Sequence, residues 1–156
     1  MTGGTVAHDQ ITFSLRKALD ARLKGGRCRP CGPNVKILAA GRARYPDVLL
    51  TCAPMDPNAV VIDDPIVVFG VVSEETARTD RIEKLREYQA TASIQRYVIL
   101  EQKSIGAALF TRRSEDWIAT ALTEGDVLTM PEIGVSIPLD EIYADLPSSP
   151  IQDPNA

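Results

Sequence analysis

The chain has 156 residues, a mass of 17.0 kDa and a net charge of −4, close to the commonest size of a single domain. With 44% hydrophobic and 24% charged residues it can bury a core, which excludes a disordered chain. No apolar run approaches the ~18 residues of a membrane helix, and the opening Met1 to Thr5 has no leader-like character, so the expectation is a cytoplasmic chain with three reduced cysteines.

Along the chain, Ile11, Leu15, Ala18, Leu19 and Leu23 fall on one helical stripe, which predicts a helix over 8–24 that stops at Gly25 and Gly26. Short β-like runs follow at 35–39, 48–51 and 66–72, the last apolar enough to be a strand buried on both faces. A second amphipathic helix is predicted over 80–90. Strands are predicted over 96–102, 105–112 and 117–122, joined by tight turns at Lys103-Ser104 and around Ser114. A helical turn over 139–143 closes the body, and the proline-rich segment 147–156 reads as a polar tail. The fold class this predicts is α/β: one domain over 1–146, with a mixed central sheet flanked by helices.

Charge is unevenly spread. Nine basic residues, among them Arg16, Lys17, Arg22, Lys24, Arg27 and Arg29, precede Tyr45 against two acids, and nine acids with no base follow Arg113. A basic first third is compatible with a polyanionic partner, and equally with a solvated helix face.

Two segments carry candidate chemistry. Asp47 opens the strand over 48–51, and Pro46 before it fixes the entry of the chain. Asp80, Lys84 and Tyr88 lie at i, i+4 and i+8 on one side of the second helix. In one reading Asp80 caps the helix with Glu83, Lys84 pairs with Asp80, and Tyr88 is a boundary residue. In the other, the stripe turns toward Asp47 and Lys84 faces an anion. Of the cysteines, Cys28 and Cys31 form a lone C-x-x-C; only Cys52 and His8 remain as further ligands, so a structural role is expected rather than zinc or redox chemistry. Trp117 and the few other aromatics show no interleaving with basic residues.

The succession Tyr45-Pro46-Asp47-Val48, Val71-Val72-Ser73 with Thr76, Asp80-Arg81 with Lys84 and Tyr88, Tyr97 to Glu101, Gly125-Asp126 and Leu139 to Tyr143 resembles the Uma-type restriction endonucleases. These are a branch of the PD-(D/E)XK phosphodiesterase superfamily, and the resemblance spans about residues 8–144. It implies a restriction-endonuclease-like core that hydrolyses DNA with Mg²⁺ or Mn²⁺ held by strand carboxylates. Asp47 matches the first carboxylate. Lys84 matches the lysine that orients the attacking water, moved to the helix from the strand position now held by Val72. Tyr88 shares the lysine's stripe, and His8 matches a histidine on the first helix, although Ile11 and Leu15 beside it also suit a structural histidine.

The chain departs from that pattern twice. Gly70 stands where the second carboxylate belongs, which implies a weakened or inactive site, or a protein that keeps the fold for nucleic-acid binding or assembly. Glu101, at the end of the strand over 96–102, is the better substitute as a metal ligand; Glu74 and Glu75 are the other nearby acids. The resemblance also leads to the expectation that an N-terminal family segment is missing, and with it that a sheet edge is exposed and covered by the partner of a homodimer. DNA is the expected partner, met through Arg16, Lys17, Arg22, Lys24, Arg27 and Arg29.

Overall fold

The structure, a computed structural model, describes residues 4–72 and 78–146. Its first helix, α1 (Val6–Leu23), begins where the Thr5 hydroxyl accepts the His8 backbone N–H at 3.0 Å, an N-cap that satisfies one of the free donors of the first turn. The predicted stripe is the buried one: Ile11, Ser14, Leu15, Ala18 and Leu19 face the sheet.

After β1 (Arg29–Cys31), β2 (Ile37–Ala39) and β3 (Arg42–Arg44) form a separate hairpin. Ala40 and Gly41 make its turn with φ of +51° and +78°, the pair of left-handed residues that a two-residue hairpin needs. Next come β4 (Val48–Thr51), β5 (Pro65–Val72), α2 (Arg78–Gln89), β6 (Arg96–Glu101), β7 (Gly106–Arg113) and β8 (Asp116–Thr123). A second hairpin of β9 (Val127–Met130) and β10 (Val135–Pro138) leads into α3 (Leu139–Tyr143).

The main sheet has six strands in the order β1-β4-β5-β6-β7-β8. Only β5 and β6 run parallel, and α2 makes the crossover that a parallel pair requires. The sheet is thus mixed, and the predicted α/β class with flanking helices holds.

Alternation along β5 sorts the two cores. Val67, Phe69 and Val71 join α1, α3 and the β9–β10 hairpin on one face, with Leu15, Leu100, Leu128 and Ile137. Val68 and Val72 join β2 and α2 on the other, with Leu49, Tyr88, Tyr97 and Ile99. Each fully buried aliphatic or aromatic side chain contributes roughly 1.5–3 kcal/mol of transfer free energy, so the continuous run in β5 anchors both layers.

Several expectations are corrected. No element is predicted over 29–31, 42–44 or 127–138, where β1, β3, β9 and β10 lie. These strands have only three or four residues, too few for an alternating pattern to stand out. The expectation of three reduced cysteines also fails. Cys28 and Cys52, 24 positions apart, form a disulfide because the antiparallel β1–β4 pair, with Arg29 opposite Thr51, brings the next residues together. Cys31 is free and buried. The tail over 147–156, and Ser73 to Thr76 with Glu74 and Glu75, lie outside the described residues.

Candidate functional site

Asp47 sits one residue ahead of β4. Since Val48 pairs with Phe69, the antiparallel register carries Asp47 to the level of Gly70 at the C-terminal end of β5. Its Oδ2 accepts the Val71 backbone N–H at 2.7 Å. Its Oδ1 lies 3.0 Å from Nε2 of His8, which reaches over from the first turn of α1. The hydrogen bond to Asp47 raises the His8 pKa above its ordinary value, with burial opposing, so the imidazolium is favoured beside the carboxylate.

These residues line a cleft of about 350 Å³ whose walls include Arg44, Tyr45, Gly70, Lys84, Tyr88 and Tyr97. Lys84 and Tyr88 thus reach the Asp47 side of α2, as the second reading of the stripe expected. The first reading describes Lys84 equally well, because its Nζ lies 3.0 Å from Oδ2 of Asp80 at i,i+4. Tyr88 is only 3% exposed, and burial holds its hydroxyl far above the ordinary tyrosine pKa, so it stays neutral.

Gly70 is a cleft residue without a side chain. Its backbone has the ordinary extended conformation of a strand, and a Cβ placed there would meet nothing closer than the Tyr97 hydroxyl at 3.5 Å, an ordinary contact. Neither sterics nor φ requires glycine at this position.

Glu101 is in another place. Opposite Val72 across the β5–β6 pair, it lies 3.5 Å from Nη2 of Arg81. Its surroundings are a separate depression of about 220 Å³ with Arg81, Ile82, Leu85, Ile99 and Phe110. The structure does not bring it to Asp47: Lys84 and Tyr88 occupy one flank of α2, and Arg81 and Leu85 the flank toward Glu101.

The donor set decides how well a metal fits. Among the described residues no three His, Cys, Asp or Glu side chains converge as ligands. Among the described residues that line the cleft Asp47 is the one carboxylate, and both of its oxygens are already engaged. This set does not make the two-carboxylate seat that the family resemblance implies for Mg²⁺.

Sequence reasoning missed two residues that shape the cleft. Glu87 accepts a bidentate pair from Arg44, at 2.6 Å to Nε and 3.0 Å to Nη2, tying β3 to α2. The Arg44 hydrogen bonds hold its carboxyl below the usual range. Its position three residues after Lys84, on the helix face that carries Tyr88, was the available signal. Tyr97 floors the cleft under Gly70 and meets Tyr88 edge-on, with ring centroids 4.8 Å apart. The β5–β6 register, with Tyr97 opposite Val68, places it on the face of Gly70.

The basic first third is partly consumed by the fold. Arg16 donates to the Gly32 carbonyl. Lys17 pairs with Asp145 at 3.3 Å, and Arg22 makes two 2.8 Å bonds to Glu141, fastening α1 to α3. Lys24, Arg27 and Arg29 are exposed around the end of α1 and the start of β1.

Comparison with known proteins agrees with this architecture. A curated but uncharacterized protein of Synechocystis sp. is 31% identical over 150 residues, covering 94% of this chain and 79% of that protein. A crystal structure from Anabaena variabilis, described as a putative nuclease belonging to DUF820, superposes with a TM-score of 0.75 at 10% identity, covering 92% of this chain and 83% of the other. At that identity the likeness establishes the fold. The profile of the Uma2 family, described as "putative restriction endonuclease", matches residues 1–140, and with so much of its length matched the chain belongs to that family.

Proposed function

We propose that this chain is a restriction-endonuclease-fold protein directed at DNA, in which hydrolysis of phosphodiester bonds with Mg²⁺ or Mn²⁺ is weak or lost. The observation that carries this reading is Gly70: a strand position beside Asp47 that lines the cleft, with room for a Cβ and none there. Asp47 would be the remaining metal-binding carboxylate, and Lys84 the amine facing the scissile phosphate. His8 would hold Asp47 in place, with Tyr88 forming the wall beneath. Glu101, turned to Arg81, would take no part. A cytoplasmic location goes with DNA as the partner.

The cleft's charges favour a second reading, a non-catalytic nucleic-acid-binding or assembly protein. Among the described residues each cation in it has its own carboxylate: His8 with Asp47, Lys84 with Asp80, and Arg44 with Glu87. Contact with DNA would then fall to exposed Lys24, Arg27 and Arg29.

Plasmid nicking in Mg²⁺ or Mn²⁺ separates the two. Weak or absent cutting by the natural chain, with cutting by Gly70→Glu that disappears in Gly70→Glu/Asp47→Ala, supports the disabled-nuclease reading. If Gly70→Glu folds but never cuts, the second reading takes its place. DNA affinity measured against salt tests the shared premise: duplex phosphate contacts give a log–log slope of about −0.9 each, and a flat line rejects DNA as partner.

A further inference from the structure

The two edges of the main sheet are built differently. β1 is guarded: it has three residues, Pro30 among them, and the Cys28–Cys52 disulfide lies at its start. β8 is open. It has eight residues, pairs only with β7 among the described strands, and contains no proline, lysine or arginine. All of its residues but Trp117 and Leu122 are exposed, Ile118 at 39%. Such an edge presents unpaired backbone donors and acceptors together with apolar side chains.

We propose that β8 is the docking strand for a second copy of this chain, paired antiparallel across a two-fold axis through Thr120. The occupant is argued from the strand's own sequence. Ile118-Ala119-Thr120-Ala121-Leu122 reads as large, small, threonine, small, large in both directions.

Two strands lying side by side and antiparallel must have their two-fold axis perpendicular to the sheet. Each face of one copy therefore continues into the same face of the other, and residues facing each other across the seam must be both even-numbered or both odd-numbered. With Thr120 on the axis, Ile118 meets Leu122, Ala119 meets Ala121, and Thr120 meets itself, the kinds of cross-strand pair that stabilise sheets. Two six-stranded sheets become one.

Antiparallel pairing about Thr120 also sets Glu124 of one copy opposite Asp116 of the other, beside Arg113, the register partner of Asp116 on β7. The side-chain pairs, and not charge, select the direction. The inference stands apart from the chemistry of the cleft.

Sedimentation velocity on the full chain into the high-micromolar range tests it. The natural chain is expected to dimerise. Thr120→Lys and Thr120→Glu, which each set like charges against themselves on the axis, should each weaken dimerisation by about tenfold or more. Mixing the two should restore a heterodimer. Circular dichroism of each variant checks the fold.

Amide hydrogen exchange of the natural chain needs no variant: β8 amides should exchange more slowly at high than at low concentration. A chain that stays monomeric overturns the proposal. So does a dimer that both charge variants keep unchanged, or one whose β8 amides gain no protection.

Discussion

The two flanks of α2 make an informative pair. Each carries a depression, a carboxylate at a strand end and a basic residue of the helix: Asp47 with Lys84 on one side, Glu101 with Arg81 on the other. On the first side the carboxylate is held by a backbone N–H and a histidine, and a buried Arg44–Glu87 pair fixes the wall. On the second the carboxylate is 38% exposed and meets one arginine at 3.5 Å. A carboxylate's usefulness depends on how rigidly its surroundings hold it, and only the Asp47 flank has that support. Family resemblance alone would have made Glu101 a substitute ligand; the crossover helix separates it from the other acid.

That contrast can be broken by mutation, and the largest expected effect is on the wall of the first flank. Arg44→Ala leaves the Glu87 carboxylate, 10% exposed, without its main partner. Removing one member of a buried pair costs about 3 kcal/mol or more, so urea unfolding should show a sharply lowered midpoint. A loss below about 1 kcal/mol would mean that the wall is not held by this pair.

Next in size is Gly70→Glu, which should raise metal-dependent nicking by on the order of 10²-fold, the scale of one well-placed charge-stabilising group. Placing a glutamate on the other flank, as Ala108→Glu, should raise nothing. If both variants cut, the flanks are not distinct.

A smaller effect concerns pH. The folded-state pKa of His8 is raised above 6.5 by Asp47. The stability from this pair is therefore fully present below the unfolded value and is lost as pH rises through the folded one. Thermal midpoints of the natural chain, compared with His8→Asn, should differ most on the acid side of that window and converge above it. A gap that widens with rising pH contradicts the assignment.

Smallest of all is Glu101→Gln. Its pair with Arg81 is more than a third exposed on both sides, so the change in unfolding free energy should stay within about 0.5 kcal/mol. Nicking by Gly70→Glu should be unaffected. A loss of cutting would bring Glu101 back into the site.

How much of this was legible beforehand can be judged residue by residue. The buried stripe of α1, the doubly buried run of β5 and the order of the β6–β7–β8 meander follow from local periodicity. That signal lies within a few consecutive residues and survives any tertiary arrangement. Asp47 at a strand entrance, and Lys84 with Tyr88 on one helix face, are local facts of the same kind.

The direction in which that face turns is not local. Asp80, Lys84 and Tyr88 fit an isolated ion-paired helix as well as a cleft wall, and Lys84 does both. Likewise, the sequence neighbourhood pairs Cys28 with Cys31, whereas strand register pairs it with Cys52. The placement of Glu101 beside Arg81, the Arg44–Glu87 clamp and the open β8 edge come from which strands lie side by side and where the crossover helix passes. Those depend on contacts between residues far apart in the chain, whose register is set only when two cores pack simultaneously on both faces of the sheet.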